Sequence, residues 1–170
     1  MSKFAKRLLV AAILLLVLAA ILHMGGWLQC AIFTIGAIAS VFEISNAFEK
    51  RDRKPYMLPA YLYAADYFVL YRLFGGEAVW LLGIFMVMLA LMERIWNRTR
   101  TTEDAFFALV PLVYPLAFFT AVAMVAEYAG EYDKSRIALF SIFAMPLMGD
   151  TFAYTFGRLF GKRKLSPELS

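Results

Sequence analysis

The 170-residue chain is 62% hydrophobic and only 18% charged, with a mean hydropathy of +0.68. A soluble domain holds about 45–50% apolar and about 25% charged residues, so these values exclude an ordinary soluble protein and point to an integral membrane protein. In a soluble chain the net charge of +4 and pI near 9.2 would suggest a nucleic-acid partner; here the basic residues sit in short segments between apolar runs, so they read as topology signals and no nucleic acid is expected.

Six apolar segments follow one another, at Leu8–His23, Trp27–Phe42, Tyr56–Phe74, Ala78–Met92, Ala105–Ala126 and Ile137–Thr155. Each approaches the roughly 20 residues that cross a bilayer as a helix. None alternates with period two, so barrel strands are excluded, and each backbone must satisfy its own hydrogen bonds as a helix. The expected fold is all-α: a polytopic membrane protein of about six transmembrane helices, forming a single domain over residues 1–170.

The first segment follows Lys3, Lys6 and Arg7, as a signal peptide would. It ends in Ile21-Leu22-His23-Met24 with no small-residue cleavage pattern, so a retained first helix is expected. The single histidine, His23, and the single cysteine, Cys30, read as structural. One cysteine excludes an internal disulfide and a multi-cysteine metal site. His23–Gly26 forms a tight turn, and Glu43–Pro55 is expected to be a polar loop closed by Lys54-Pro55.

The third segment holds Asp66 in mid-span among Tyr63, Tyr67 and Tyr71. An acid inside a span is costly and therefore a functional candidate. It is either hydrogen-bonded to polar neighbours in the bundle interior or part of a polar cavity. Phe74-Gly75-Gly76-Glu77 is the next turn, with glycines suited to positive φ. In the loop Glu93–Asp104, Thr101 and Asp104 have capping-box spacing, with the acid facing the positive end of the following helix. Glu127–Arg136 is a loop of mixed charge.

Basic residues divide unequally between the two ends of the segments. The clusters at Lys3–Arg7, Lys50–Lys54, Arg94–Arg100 and Arg158–Lys164 fall on one side and hold all but Arg72, Lys134 and Arg136 of the 17. The positive-inside rule then places both termini in the cytoplasm, in the inner (plasma) membrane of the cell.

In the sixth segment Pro146 removes a backbone donor and is expected to kink the helix. A kink there would turn free carbonyls and the Asp150 carboxylate towards a cavity. Asp150, Tyr154, Arg158 and Lys162 recur every four residues and share a face. Gly149, Ala153, Gly157 and Gly161 form a parallel ridge of small residues, where another helix is expected to pack closely. The basic end, Arg158 to Lys164, is either a topological anchor or an anion site for lipid or nucleotide phosphate.

Asp150-Thr151-Phe152-Ala153-Tyr154, Gly157-Arg158, Gly161-Lys162, Lys164-Leu165, Pro167 and Leu169-Ser170 together resemble the membrane-bound phosphatidate cytidylyltransferases, the CDP-diacylglycerol synthases. That family's pattern runs D-x-x-A-Y-x-x-G-R-x-x-G-K-x-K-L-x-P-x-I-S and continues as P-K-K-T-x-E-G. Further upstream the likeness is looser: the hydrophobic layout, with Lys54-Pro55 before the third segment. Phe152 stands where the family has a small residue, and Leu169 where it has isoleucine. The family's C-terminal signature, with Lys-Asp, His-Gly-Gly and Asp-Arg-x-Asp, is absent from these 170 residues.

The resemblance implies transfer of CMP from CTP to phosphatidic acid, giving CDP-diacylglycerol and pyrophosphate in phospholipid biosynthesis. It implies Mg²⁺ as cofactor, with most of its ligands in the C-terminal signature, and CTP, phosphatidic acid and membrane lipid as partners, a homodimer being left open. Asp150 would organise the catalytic polar cavity; Tyr154, Arg158, Lys162, Lys164 and Ser170 would contact substrate. It further implies that residues 1–170 are the N-terminal part of a longer fold and inactive alone. Two other readings stand beside it: a non-catalytic scaffold or small transporter with Asp66 and Asp150 on a polar path, and a shortened family member that assembles with a partner.

Overall fold

The structure, a computed structural model, describes residues 3–97, 100–127 and 132–160, with side chains described from residue 9 onward and omitted at 132–133 and 158–159. Seven helices make up the regular structure of the described residues: α1 (Lys3–Met24), α2 (Gly26–Glu49), α3 (Leu58–Phe74), α4 (Gly76–Trp96), α5 (Thr102–Val113), α6 (Leu116–Ala126) and α7 (Tyr132–Phe160). Four stretches are long and apolar enough to cross a membrane: α2, α4, Thr102–Ala126 across α5 and α6, and Lys134–Gly157 of α7. The apolar part of α1, Leu9–Met24, is shorter, and α3 has 17 residues. The fold is therefore all-helical and that of a membrane protein.

Several boundaries differ from the sequence reading, each for a local reason. α2 runs on to Glu49, through residues expected to be loop. Phe48, in its added last turns, packs its ring against Phe107 with centroids 5.0 Å apart, and this contact holds the extension. The fifth apolar segment is two helices. Pro115 has no N–H to continue the ladder of α5, so the chain breaks at Tyr114-Pro115, which is a cis peptide, and restarts as α6.

The turns follow their residues. Thr101 Oγ1 accepts from the Asp104 backbone N–H at 3.2 Å, while the Thr101 N–H donates to the Asp104 carboxylate at 3.0 Å, which completes the capping box. Gly75, between α3 and α4, has φ of +80°, a conformation open to glycine at little cost.

The helices form two compact units. One comprises α1 as far as His23 and α7 from Arg136; the other, Met24–Ser135, holds α2 to α6. In the first unit Leu22, Leu139 and Ala144 are buried. The Arg136 guanidinium donates to the His23 carbonyl, placing a cation at the negative end of α1.

The second unit is centred on α3. Ala60, Ala64, Tyr67 and Phe68 are fully buried there, with Ala37 and Val41 of α2 and Leu116 and Ala123 of α6. Small residues allow the close approach that helices need where lipid gives no hydrophobic drive between them. At Gly36 a Cβ would lie 3.3 Å from the Phe119 ring, so α2 and α6 meet where a side chain is missing. Phe33 stacks on Phe68 and Tyr67 meets Phe119 edge-on, which closes the core with aromatic area. Leu81, Ile84, Phe85 and Ile95 of α4 point outward, as lipid-facing residues do.

Candidate functional site

α7 continues without interruption past Pro146 to Phe160. The proline leaves the Ile142 carbonyl without its usual intrahelical donor but does not end the helix. The unbroken helix sets Asp150, Tyr154 and the backbone of Arg158 one turn apart along one face. Asp150 and Tyr154 are both exposed. Lys162, Lys164 and Ser170, with Gly161, lie outside the described residues.

The other faces of this segment are distinct. Phe152, Phe156 and Phe160 form an exposed ladder, with successive ring centroids 6.3 and 5.9 Å apart. Thr151 and Thr155 donate their hydroxyls to the Leu147 and Thr151 carbonyls at 2.8 and 2.7 Å, so these hydroxyls are spent within the helix. The exposed Asp150–Tyr154 face of the segment thus lies beside an aromatic one.

The small-residue ridge differs from its expected role. Among the described residues nothing lies within 4 Å of a Cβ built at Gly149 or Gly157, and Ala153 between them is exposed. At Gly149 and Gly157 the ridge leaves room for a close neighbour. Among the described residues, close approaches occur at Gly36 against Phe119, at Gly76, 3.4 Å from the Tyr71 ring, and at Gly83, 3.5 Å from the Tyr63 ring.

Asp66 is also placed differently from the interior reading. It is exposed on α3, whereas Tyr63 and Tyr67 are buried. Tyr63 pairs instead with Thr120 of α6, at 2.8 Å. At roughly 3.6 residues per turn, position 66 lies only about 60° from position 63 around α3, and that step carries the acid from the packed face to the exposed one.

At the end of the second unit where α2 and α4 finish, the Lys54-Pro55 stretch is tied down. Arg100 donates to the Lys54 carbonyl at 2.6 Å, pairs with Glu93 at 2.9 Å, and covers the Tyr56 ring at 5.5 Å. Arg53 pairs with Glu103 at 2.7 Å. Arg53 and Arg100 are thus used in bonds between the loops.

With this geometry in view, comparison with known families is decisive. A family model described as the cytidylyltransferase family matches residues 5–170. The chain belongs to the cytidylyltransferase family. No curated protein and no solved structure matches it. Family membership makes this helical membrane protein a nucleotidyltransferase by class.

A cytidylyltransferase of this kind handles polyanions, for which a divalent cation is the usual counter-charge. Among the described residues no three or more His, Cys, Asp or Glu side chains are grouped to hold a metal ion. The described residues thus hold no all-protein cage for an ion, whereas Mg²⁺ is commonly held by one or two carboxylates together with substrate phosphates.

Sequence reasoning missed two polar features of this cytidylyltransferase. Thr120 looks like one more residue of an apolar run until α6 sets it opposite Tyr63. Arg72 and Glu127 lie 55 residues apart in separate turns, yet pair at 2.7 Å. Both are contacts between distant segments, for which the local pattern carries no signal.

Proposed function

We propose that this cytidylyltransferase family member moves the CMP group of CTP onto phosphatidic acid, making CDP-diacylglycerol in phospholipid biosynthesis. A phosphate oxygen of phosphatidic acid attacks the α-phosphorus of CTP; the bond from that phosphorus to the β-phosphate bridge breaks, and pyrophosphate leaves. One observation carries the reading: the Asp150–Ser170 motif, with its fixed spacings, lies inside the matched family region and starts on a helix of a membrane protein.

The residue roles follow from the charges the reaction must manage. Arg158, Lys162 and Lys164 supply cations for two polyanionic substrates, with the arginine able to grip phosphate through two N–H groups. Tyr154, one turn from Asp150, offers a hydroxyl to the same face, and Ser170 a further one beyond it. Asp150 organises the polar cavity. Holding both reactants in line supplies much of the rate gain in phosphoryl-type transfers. The reading includes six spans with both termini cytoplasmic, in the inner membrane, so that the end of α7 meets CTP from water and the lipid from the side. Its Mg²⁺ requirement rests on the resemblance alone. A homodimer is compatible with it and carries no step.

CTP binding decides between this and a non-catalytic scaffold or transporter. The purified chain in nanodiscs is expected to bind CTP saturably and in preference to ATP. Arg158→Ala is expected to weaken CTP about tenfold, the loss of one charge-assisted contact. Absence of CTP binding would overturn the proposal in favour of the scaffold. In any preparation that forms CDP-diacylglycerol, unchanged turnover of Asp150→Asn would remove Asp150 from the site.

A further inference from the structure

The second unit carries a cleft of about 420 Å³ on its flank, between α4 and the place where α5 gives way to α6. All of its lining residues belong to that unit. The volume falls within the roughly 300–1,000 Å³ typical of small-molecule sites. The chemistry of its walls and its length narrow the occupant.

The cleft runs along α4 from Trp80 to Met88. At 1.5 Å per residue that is roughly 12 Å. One leaflet of a bilayer has about half of a 30 Å hydrocarbon core, or about 15 Å. One end lies a turn from the start of α4, where Trp80 is 63% exposed, as an aromatic residue at a membrane interface would be. The other end reaches Leu112 and Val113, beside the break at Tyr114-Pro115, in the middle of the Thr102–Ala126 stretch. The cleft therefore spans the depth of one leaflet, from interface to midplane.

Its lining is apolar except at the back, where Tyr63 and Thr120 stand. Those two hydroxyls are bonded to each other, and Thr120 donates onward to the Leu116 carbonyl. Both hydrogens are committed, so the back wall calls for no polar ligand. The space exists because Gly83, Ala117 and Ala121 lack bulk. An extended hydrocarbon chain fits the length and the apolar lining.

We propose that this cleft binds one acyl chain of a membrane phospholipid, taken from the leaflet on the Trp80 side.

Trp80 provides the readout. In a Trp27→Phe, Trp96→Phe background it is the one tryptophan left, and its emission is titrated in detergent micelles with phosphatidylcholine carrying a brominated acyl chain. Saturable quenching at one lipid per chain is expected. Ala117→Phe with Ala121→Phe, both at exposed positions, fills the cleft and is expected to weaken the binding about tenfold. Quenching that rises linearly with the lipid-to-detergent ratio, or that is unchanged by the filled cleft, overturns the proposal. A diazirine-bearing acyl lipid crosslinked to the wild-type chain gives a test independent of the variants. Competable labelling at Met88, Val113 or Ala121 supports the site, and labelling spread evenly over the outer faces of α4 and α6 refutes it. A dimer that dissociates when the cleft is filled, with no lipid bound in the wild type, would make it an interface between copies and refute the proposal as well.

Discussion

Tyr63 donates its hydroxyl hydrogen to Thr120, 2.8 Å away, because Thr120 has already committed its own to the Leu116 carbonyl at 2.9 Å. This one-way relay joins α3 to α6 inside the buried core of the second unit. Its direction makes the two partners unequal. Tyr63→Phe removes one bond and leaves Thr120 satisfied, at a cost of about 0.5–1.5 kcal/mol. Thr120→Val leaves the Tyr63 hydroxyl buried with no acceptor, at a cost of about 1–3 kcal/mol. The double variant is expected to recover part of the Thr120→Val loss. Equilibrium unfolding of the four proteins in mixed micelles checks the order; equal losses from both single changes would contradict the relay.

Arg72 holds the other end of the same helix pair. It pairs with Glu127 at 2.7 Å and lies over the Trp27 ring at 4.9 Å, so α2, α3 and α6 converge on one guanidinium. Each side chain of the ion pair is 27% exposed, so the pair alone is worth at most about 1 kcal/mol. The ring contact adds a comparable amount, roughly 0.5–2 kcal/mol, and depends on the flat guanidinium. Arg72→Lys, which keeps the charge, is therefore expected to destabilise the unit about as much as Glu127→Gln. High salt should narrow the gap between wild type and Glu127→Gln while leaving the Arg72→Lys defect, as read from unfolding midpoints at low and high ionic strength.

Gly36 and Gly149 are expected to respond in opposite directions. A Cβ at Gly36 meets the Phe119 ring at 3.3 Å, and a larger side chain forces α2 from α6. Gly36→Leu is expected to cost about 1–3 kcal/mol as overpacking. At Gly149 a Cβ meets nothing within 4 Å, and the position is mid-helix. Gly149→Ala is expected to be neutral or to stabilise by up to about 1 kcal/mol through helix propensity. Thermal melting of the two variants side by side is sufficient to test this.

Arg100 fastens the α2–α3 connection to the α4–α5 connection through the Lys54 carbonyl, Glu93 and the Tyr56 ring. Arg100→Ala releases all three. Local opening of the stretch Lys50–Lys54 should then become easier while the helical core is untouched. Limited trypsin digestion is expected to cut there about fivefold faster than in wild type, on the order of 1 kcal/mol of lost local stability. An unchanged cutting rate would mean that Arg53–Glu103 alone holds the loop.

All six apolar segments were legible from residue order, and each coincides with a helix or, in the fifth case, a pair of helices. The capping box at Thr101 and the glycine turn at Gly75 were legible for the same reason, since each is set by neighbours within a few residues. The Asp150–Tyr154–Arg158 spacing was legible as a shared face because helical periodicity is local. What surrounds those faces was not. Asp66 is exposed beside buried tyrosines, an added Cβ at Gly149 or Gly157 meets nothing within 4 Å, and Thr120 became the partner of Tyr63 only when α6 crossed α3.

Hydrophobicity and hydrogen bonding along the chain settle which stretches become helices, because in lipid a backbone must bond within its own segment. Which side of each helix meets a neighbour is settled by fit between segments up to 57 residues apart, as for Tyr63 and Thr120. That fit depends on where bulk is absent, at Gly36 and Gly83, and on the break at Tyr114-Pro115 that opens the cleft beside α4. Membership of the cytidylyltransferase family was already written in the order of residues from Asp150 onward. The clefts, clamps and uncovered faces came only with the packing of the helices, since lipid gives them no hydrophobic drive to associate and leaves shape and hydrogen bonds to choose the contacts.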